Sequence, residues 1–263
     1  NCSLTVIGGR FEGNTAILGG GAAYTSESTV DVSDISTISG NRSTLSEGGA
    51  ILIDGADEAI LSGLTLEDNQ AWLMGGALSA HNVTTLLIDT VALNDNTSTE
   101  ESSGGGALAV NQSTVEIRNS EFSENQAHGD GGALLSIDSD MLIESTVFNL
   151  NSTTSYGGAW HQIGGSADCR SSEFQGNEGT SGGGGFSALN TSVNLNTVGF
   201  LWNESIGGDG GALLFDGENL NVQGSQFQRN SARYGGGVSS KPRSEMTVTF
   251  SLFQENEATF SAG

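Results

Sequence analysis

The chain has 263 residues, with Gly 40 against Pro 1, hydrophobic residues at 35% and a formal net charge of −23 from 8 Lys+Arg and 31 Asp+Glu. That charge argues against nucleic acid and anionic lipid as partners, since both are held by cationic patches. Regularly recurring apolar residues exclude disorder, and glycines that come in pairs instead of at every third position exclude collagen. No apolar run reaches the roughly 18 residues of a membrane-spanning helix, and no signal peptide is visible.

Along the chain one motif recurs: an apolar residue, two variable residues, then Asn. It reads Phe11/Asn14, Ile38/Asn41, Leu66/Asn69, Val91/Asn94, Phe122/Asn125, Phe148/Asn151, Phe174/Asn177, Phe200/Asn203, Phe227/Asn230 and Phe253/Asn256. The Asn-to-Asn spacings are 27, 28, 25, 31, 26, 26, 26, 27 and 26 residues. A second motif follows each Asn: a Gly pair, a small residue and an apolar one. It starts at Gly48, Gly75, Gly105, Gly131, Gly157 and Gly210, with looser copies at Gly20, Gly184 and Gly236. The intervening segments alternate apolar and polar, as in Val115-Glu116-Ile117-Arg118, which is strand periodicity. The spacing therefore predicts an all-β fold, a right-handed single-stranded parallel β-helix of about ten coils of ~26 residues. Residues 1–263 are expected to form one such segment, part of a longer chain. Coils stacked about 4.8 Å apart make a rod of roughly 45 Å.

Stacking puts like residues in columns. Phe122, Phe148, Phe174, Phe200, Phe227 and Phe253 form an aromatic ladder. Ile117, Ile143, Cys169, Leu195, Val222 and Val248 form an aliphatic one, and a third follows the Gly pairs from Ile51 to Val238. The Asn column, with Asn125, Asn151, Asn177, Asn203, Asn230 and Asn256, is expected at an inward turn. There each amide bonds the next and Asn accommodates a left-handed backbone.

The paired GGA(I/L) and FxxN motifs resemble the repeats of the polymorphic outer membrane proteins of chlamydiae, whose passenger regions are surface-displayed β-helical adhesins. The resemblance covers essentially the whole chain and implies a β-helix at the cell surface. The chain departs from that family in its acidity and in lacking a recognisable autotransporter barrel.

Asn-x-Ser/Thr triplets occur at Asn1, Asn41, Asn82, Asn96, Asn111, Asn151, Asn190 and Asn203. Asn41, Asn151 and Asn203 belong to the ladder. Asn82, Asn111 and Asn190 follow the Gly-pair strand and are expected along one exposed edge; with Asn96, in an insertion from Asn94 to Gly104 of about five residues, they are the candidate N-glycosylation sites. Cys2 and Cys169 lie too many coils apart to bridge. Cys169 reads as a buried hydrophobe, and Cys2 as free to pair with a residue upstream.

No enzyme motif stands out. The Asn-Thr-Asp, Asp-Asp, Gly-His-Gly and Arg-Ile-Lys signatures of β-helical polysaccharide hydrolases are missing. His81, His128 and His161 share no metal-ligand spacing. The acidic groups Asp31/Asp34, Asp54/Asp57/Glu58 and Asp138/Asp140 read as solvated turns, at most weak calcium sites. No catalytic, metal or cofactor residue is expected. The functional expectation is a non-catalytic extracellular structural or adhesive rod that meets other surface or fibre subunits, with carbohydrate as a further partner. A polysaccharide-active enzyme or carbohydrate-binding module is the alternative.

Overall fold

The structure, a computed structural model, describes residues 2–34, 37–242 and 244–260. The triplet at Asn1 lies outside the described residues, as does the side chain of Cys2, on which its expected pairing rests. Each repeat contributes four short strands, for example Leu108–Asn111, Thr114–Arg118, Glu121–Ser123 and Gln126–Ala127. In two repeats the first three run on without a break, as Ile51–Glu67 and Leu78–Asn94. Every strand pairs in parallel with its counterpart one coil away, the first three kinds in a sheet of 25 strands and the fourth in a sheet of 10. The chain is thus a parallel β-solenoid of ten coils, and among the described residues it contains no helix.

Alternation decides what is inside. In Thr114–Arg118, Val115 and Ile117 are buried while Glu116 and Arg118 face out. The register stacks Ile117 on Ile143, Cys169, Leu195, Val222 and Val248. It also stacks Phe122 through Phe253 with ring centroids 4.5–5.0 Å apart and near-parallel planes. That distance is the interstrand spacing itself, so coil stacking imposes ring stacking. The third column joins in where Trp160 lies 4.1 Å from Phe186.

The Asn ladder is fully bonded. Asn151 donates its backbone N–H and its Nδ2 to Asn177 Oδ1 at 3.0 and 2.9 Å, and Nδ2 also donates to Phe122 O at 2.9 Å. Its own Oδ1 accepts both bonds from Asn125. The left-handed residue of this turn is the one before the Asn, Leu150 at φ 55° or Trp202 at φ 53°. The expectation that the Asn itself takes that backbone is corrected; its role is to bridge coils.

One coil shifts register from the sequence expectation. The ladder member between Asn69 and Asn125 is Asn96, not Asn94: Asn69 donates to Asn96 Oδ1 and Asn96 to Asn125 Oδ1, all at 3.0 Å. Leu93, not Val91, pairs with Leu66 and Phe122. The segment Val91-Ala92-Leu93-Asn94-Asp95-Asn96 holds two overlapping copies of the motif, and only the second fits the stacking. The insertion shrinks accordingly. Ser98 to Gly105 spans seven steps where Ala127 to Gly131 spans four, so three extra residues sit between Thr99 and Ser103. The looser Gly pairs also begin one residue earlier, at Gly183 and Gly235, which hold φ of +62° and +61° like Gly131 at +68°.

Candidate functional site

The strand after each Gly pair has an outward row as well as the inward ladder. Leu135, His161, Ser187 and Leu214 share that row, yet they are only 4%, 4%, 3% and 7% exposed. They are covered by the segment that leaves the fourth strand and returns to the Gly pair. This segment forms its own coil-to-coil column, with bridges Gly104–Asp130, Tyr156–Gly182, Gly182–Asp209 and Asp209–Tyr234. Each of these is the residue just before a Gly pair. Where the column and the outward row part, they leave a groove of ≈ 450 Å³.

The groove floor is Leu214, Leu189 and Ile163, one wall holds Tyr156 and Asp209, and Asp130, Asp216 and Lys241 stand around it. Lys241 Nζ donates to Asp209 Oδ2 at 2.9 Å. The Tyr156 ring stacks on His161, centroid to centroid 5.9 Å. His161 Nδ1 is sealed and has no hydrogen-bond partner among the described residues, and Nε2 is 3.9 Å from Asp130 Oδ2, beyond hydrogen-bond reach. Burial pulls the His161 pKa below its ordinary value against the opposing Asp130 charge, so the imidazole is neutral and offers one donor and one acceptor. The sequence reading weighed His161 as a metal ligand and missed the groove. Aligning the chain on its Gly pairs, and reading the residue before each, would have gathered Asp130, Tyr156, Gly182, Asp209 and Tyr234 into one column.

A second cluster joins Glu47, Ser79 and His81. His81 Nε2 contacts both Glu47 Oε2 and Ser79 Oγ, the latter at 3.0 Å, and Ser79 Oγ donates to the same Glu47 oxygen at 3.1 Å. A Ser–His–acid relay needs the acid and the serine on opposite ring nitrogens. Here both meet one nitrogen, and Ser79 is fully buried. The cluster is a clasp that ties the segment before Gly48 to the outer face of the next strand. Glu47 hydrogen bonding raises the His81 pKa, with the Glu47 charge adding to it and burial opposing. Burial alone would raise the Glu47 carboxyl, but the His81 bond and charge and the Ser79 bond outweigh it and leave it lowered.

Cys169 is sealed in the aliphatic ladder, where burial pushes its thiol up to about 12; such a thiol is inert. Of the acidic groups, Asp54, Asp57 and Glu58 lie around the left-handed Gly55 (φ 73°), level with Asn82 in the register, within the continuous strand Ile51–Glu67, while Asp138, at φ 46°, and Asp140 flank the buried Ser139. Among the described residues no group of three or more His, Cys, Asp or Glu is placed to hold a metal ion.

Of the sequon asparagines, Asn82 and Asn190 are exposed in left-handed turns at φ 52° and 53°. Asn111 sits one position earlier in the register, stacked on His81 at the end of its strand and half-buried; Gln112, at φ 51°, takes the turn. The single exposed edge is therefore held by Asn82 and Asn190. Asn96 is overturned as a glycan site: it is 0% exposed, and its Nδ2 donates to Leu66 O and Asn125 Oδ1.

Buried hydroxyls are a further structural set that the sequence reading passed over. Ser139 Oγ accepts from Ser113 N, Ser172 Oγ from Thr146 N and Ser225 Oγ from Val198 N, each at 3.1 Å. They cap the turns between strands much as the Asn ladder caps its own.

Against known families, the Chlamydia polymorphic membrane protein repeat matches residues 119–137. That stretch runs from the Asn119 turn through Phe122 and Asn125 to Gly131-Gly132 and Leu134, one complete FxxN and GGAL unit. The resemblance carried by the two motifs is thereby shown on this unit. No curated protein and no solved structure matches the chain.

Proposed function

We propose that the chain is a section of an extracellular, non-catalytic β-helix rod with a structural and adhesive role, part of a cell-surface or fibre-forming glycoprotein. The observation that carries this reading is the continuity of the ladders: the inward positions are filled by Phe, Asn and aliphatic columns through successive coils. Variation between coils is left to the outer face, as in repeat proteins that bind along an extended surface. The repeat match and the parallel solenoid fit a surface-exposed β-helix protein. A net charge of −23 keeps such a rod soluble by self-repulsion and draws cations, weakly held calcium among them, to pairs such as Asp138 and Asp140.

The partners on this reading are other surface or fibre subunits, reached by docking or self-assembly through outer features such as the loop from Thr99 to Ser103. Asn82 and Asn190 present their side chains to a glycosylating compartment, with Asn111 less open. Carbohydrate is a further partner, and a polysaccharide-active enzyme the alternative. Beads coated with the folded chain should adhere to cell-coated or matrix-coated surfaces better than beads carrying the heat-denatured chain. Equal retention would remove the adhesive role, and release of reducing ends from a polysaccharide substrate would put the enzyme in its place.

A further inference from the structure

We propose that the groove between Tyr156, Leu189 and Asp209 is a binding site for a short oligosaccharide that carries no acidic groups. It runs along the rod axis, because its wall residues Tyr156, Gly182 and Asp209 succeed one another coil by coil. Two coil steps span about 10 Å, the length of a disaccharide. The wall dips at Gly182, where an added Cβ would stand 2.6 Å from Leu214 Cδ2 and 3.4 Å from Tyr156 Cδ1. The missing side chain lets Leu214 and the Tyr156 ring pack directly against the wall backbone, so that both become part of the groove lining.

The lining suits a sugar on both its faces. Tyr156, Leu189, Ile163 and Leu214 take the apolar C–H face of a pyranose, and a few placed polar groups fix its orientation. Asp130 and Asp216 accept from hydroxyls and Lys241 donates. His161, 4% exposed at the groove base, adds an Nε2 that no direct bond to Asp130 satisfies. The geometric opening is at Nε2: its 3.9 Å separation from Asp130 Oδ2 is too long for a direct bond and leaves room for a ligand hydroxyl to bridge the two.

Other ligands fit less well. An extended peptide is held at a sheet by main-chain bonds, but here the floor carbonyls are already taken. Ile163 O accepts from Asp138 N, Leu189 O from Gly164 N and Asp216 O from Asn190 N. Acidic sugars meet Asp130, Asp209 and Asp216 against Lys241, itself paired with Asp209.

Isothermal calorimetry of the chain with cellotriose, triacetylchitotriose, chitotriose, trigalacturonate and a Lys/Arg tripeptide tests the site. At least one of the three non-acidic trimers should bind with millimolar affinity or better, and trigalacturonate should not. Tyr156→Ala and Asp216→Asn, both at solvent-facing positions, should each weaken binding by about tenfold with unchanged melting temperature. Heat only from the peptide or from trigalacturonate, no heat from the non-acidic trimers, or wild-type affinity in both variants would overturn the proposal. The site stands apart from the adhesive role: bead retention and sugar binding can each fail alone.

Discussion

At the scale of the residue, the ladder asparagine is the most demanding position. Asn151 is 0% exposed and takes part in five hydrogen bonds with Asn125, Asn177 and Phe122. Asn151→Leu keeps the volume but strands the Asn125 donors and the Phe122 carbonyl. Each buried group so orphaned costs about 1–3 kcal/mol, so the substitution should cost about 3 kcal/mol or more, read as a lowered denaturation midpoint. The Glu47–His81 clasp is the titrating residue pair. The raised His81 pKa stabilises fully below its ordinary 6.5 and is lost as pH rises through the raised value. The lowered Glu47 pKa stabilises above its ordinary 4.5 and is lost as pH falls through the lowered one. The clasp should therefore be strongest between pH 4.5 and 6.5. A melting-temperature difference between wild type and Glu47→Gln that peaks in this window and shrinks on both sides is the expected outcome. The ladder was legible in the sequence wherever one copy of FxxN stood alone. It failed at Asn94/Asn96, where two copies overlap and hydrogen bonding to Asn69 and Asn125 selects between them.

At the scale of the element, the Gly pair sets how closely coils approach. Gly131 holds a left-handed φ of +68°, and a Cβ on Gly132 would stand 1.9 Å from Gly158 O in the next coil. Gly132→Ala must push two backbones apart, at a cost above about 3 kcal/mol. Gly199→Ala, whose Cβ would meet only Glu173 Cγ at 3.5 Å, should stay within about 1 kcal/mol; chemical denaturation of the two variants compares them directly. Strands and columns could be read from alternation and a near-constant period, since both are properties of a chain segment. The groove could not be read that way. Its members are separated by whole repeats and meet only because a covering segment folds back over the outward row. The same segment explains why His161 and Leu135 are buried at positions that alternation assigns to solvent. Asn111 shows the limit of counting residues: a one-place shift moved it from the turn into the strand.

At the scale of the whole molecule, parallel coils satisfy one another's backbone and side-chain groups, so the interior is the same problem solved ten times. Such a body has no single deep pocket by construction; its capacity for function lies along the outer face. The acidic surface, the exposed asparagines and the groove are all on that face, and the function proposed for them requires a rod displayed outside the cell. An antibody raised against the folded chain and applied to intact, unpermeabilised cells of the source organism tests that location most directly. The account predicts labelling of intact cells, removed by brief external proteolysis; labelling that appears only after permeabilisation would contradict it.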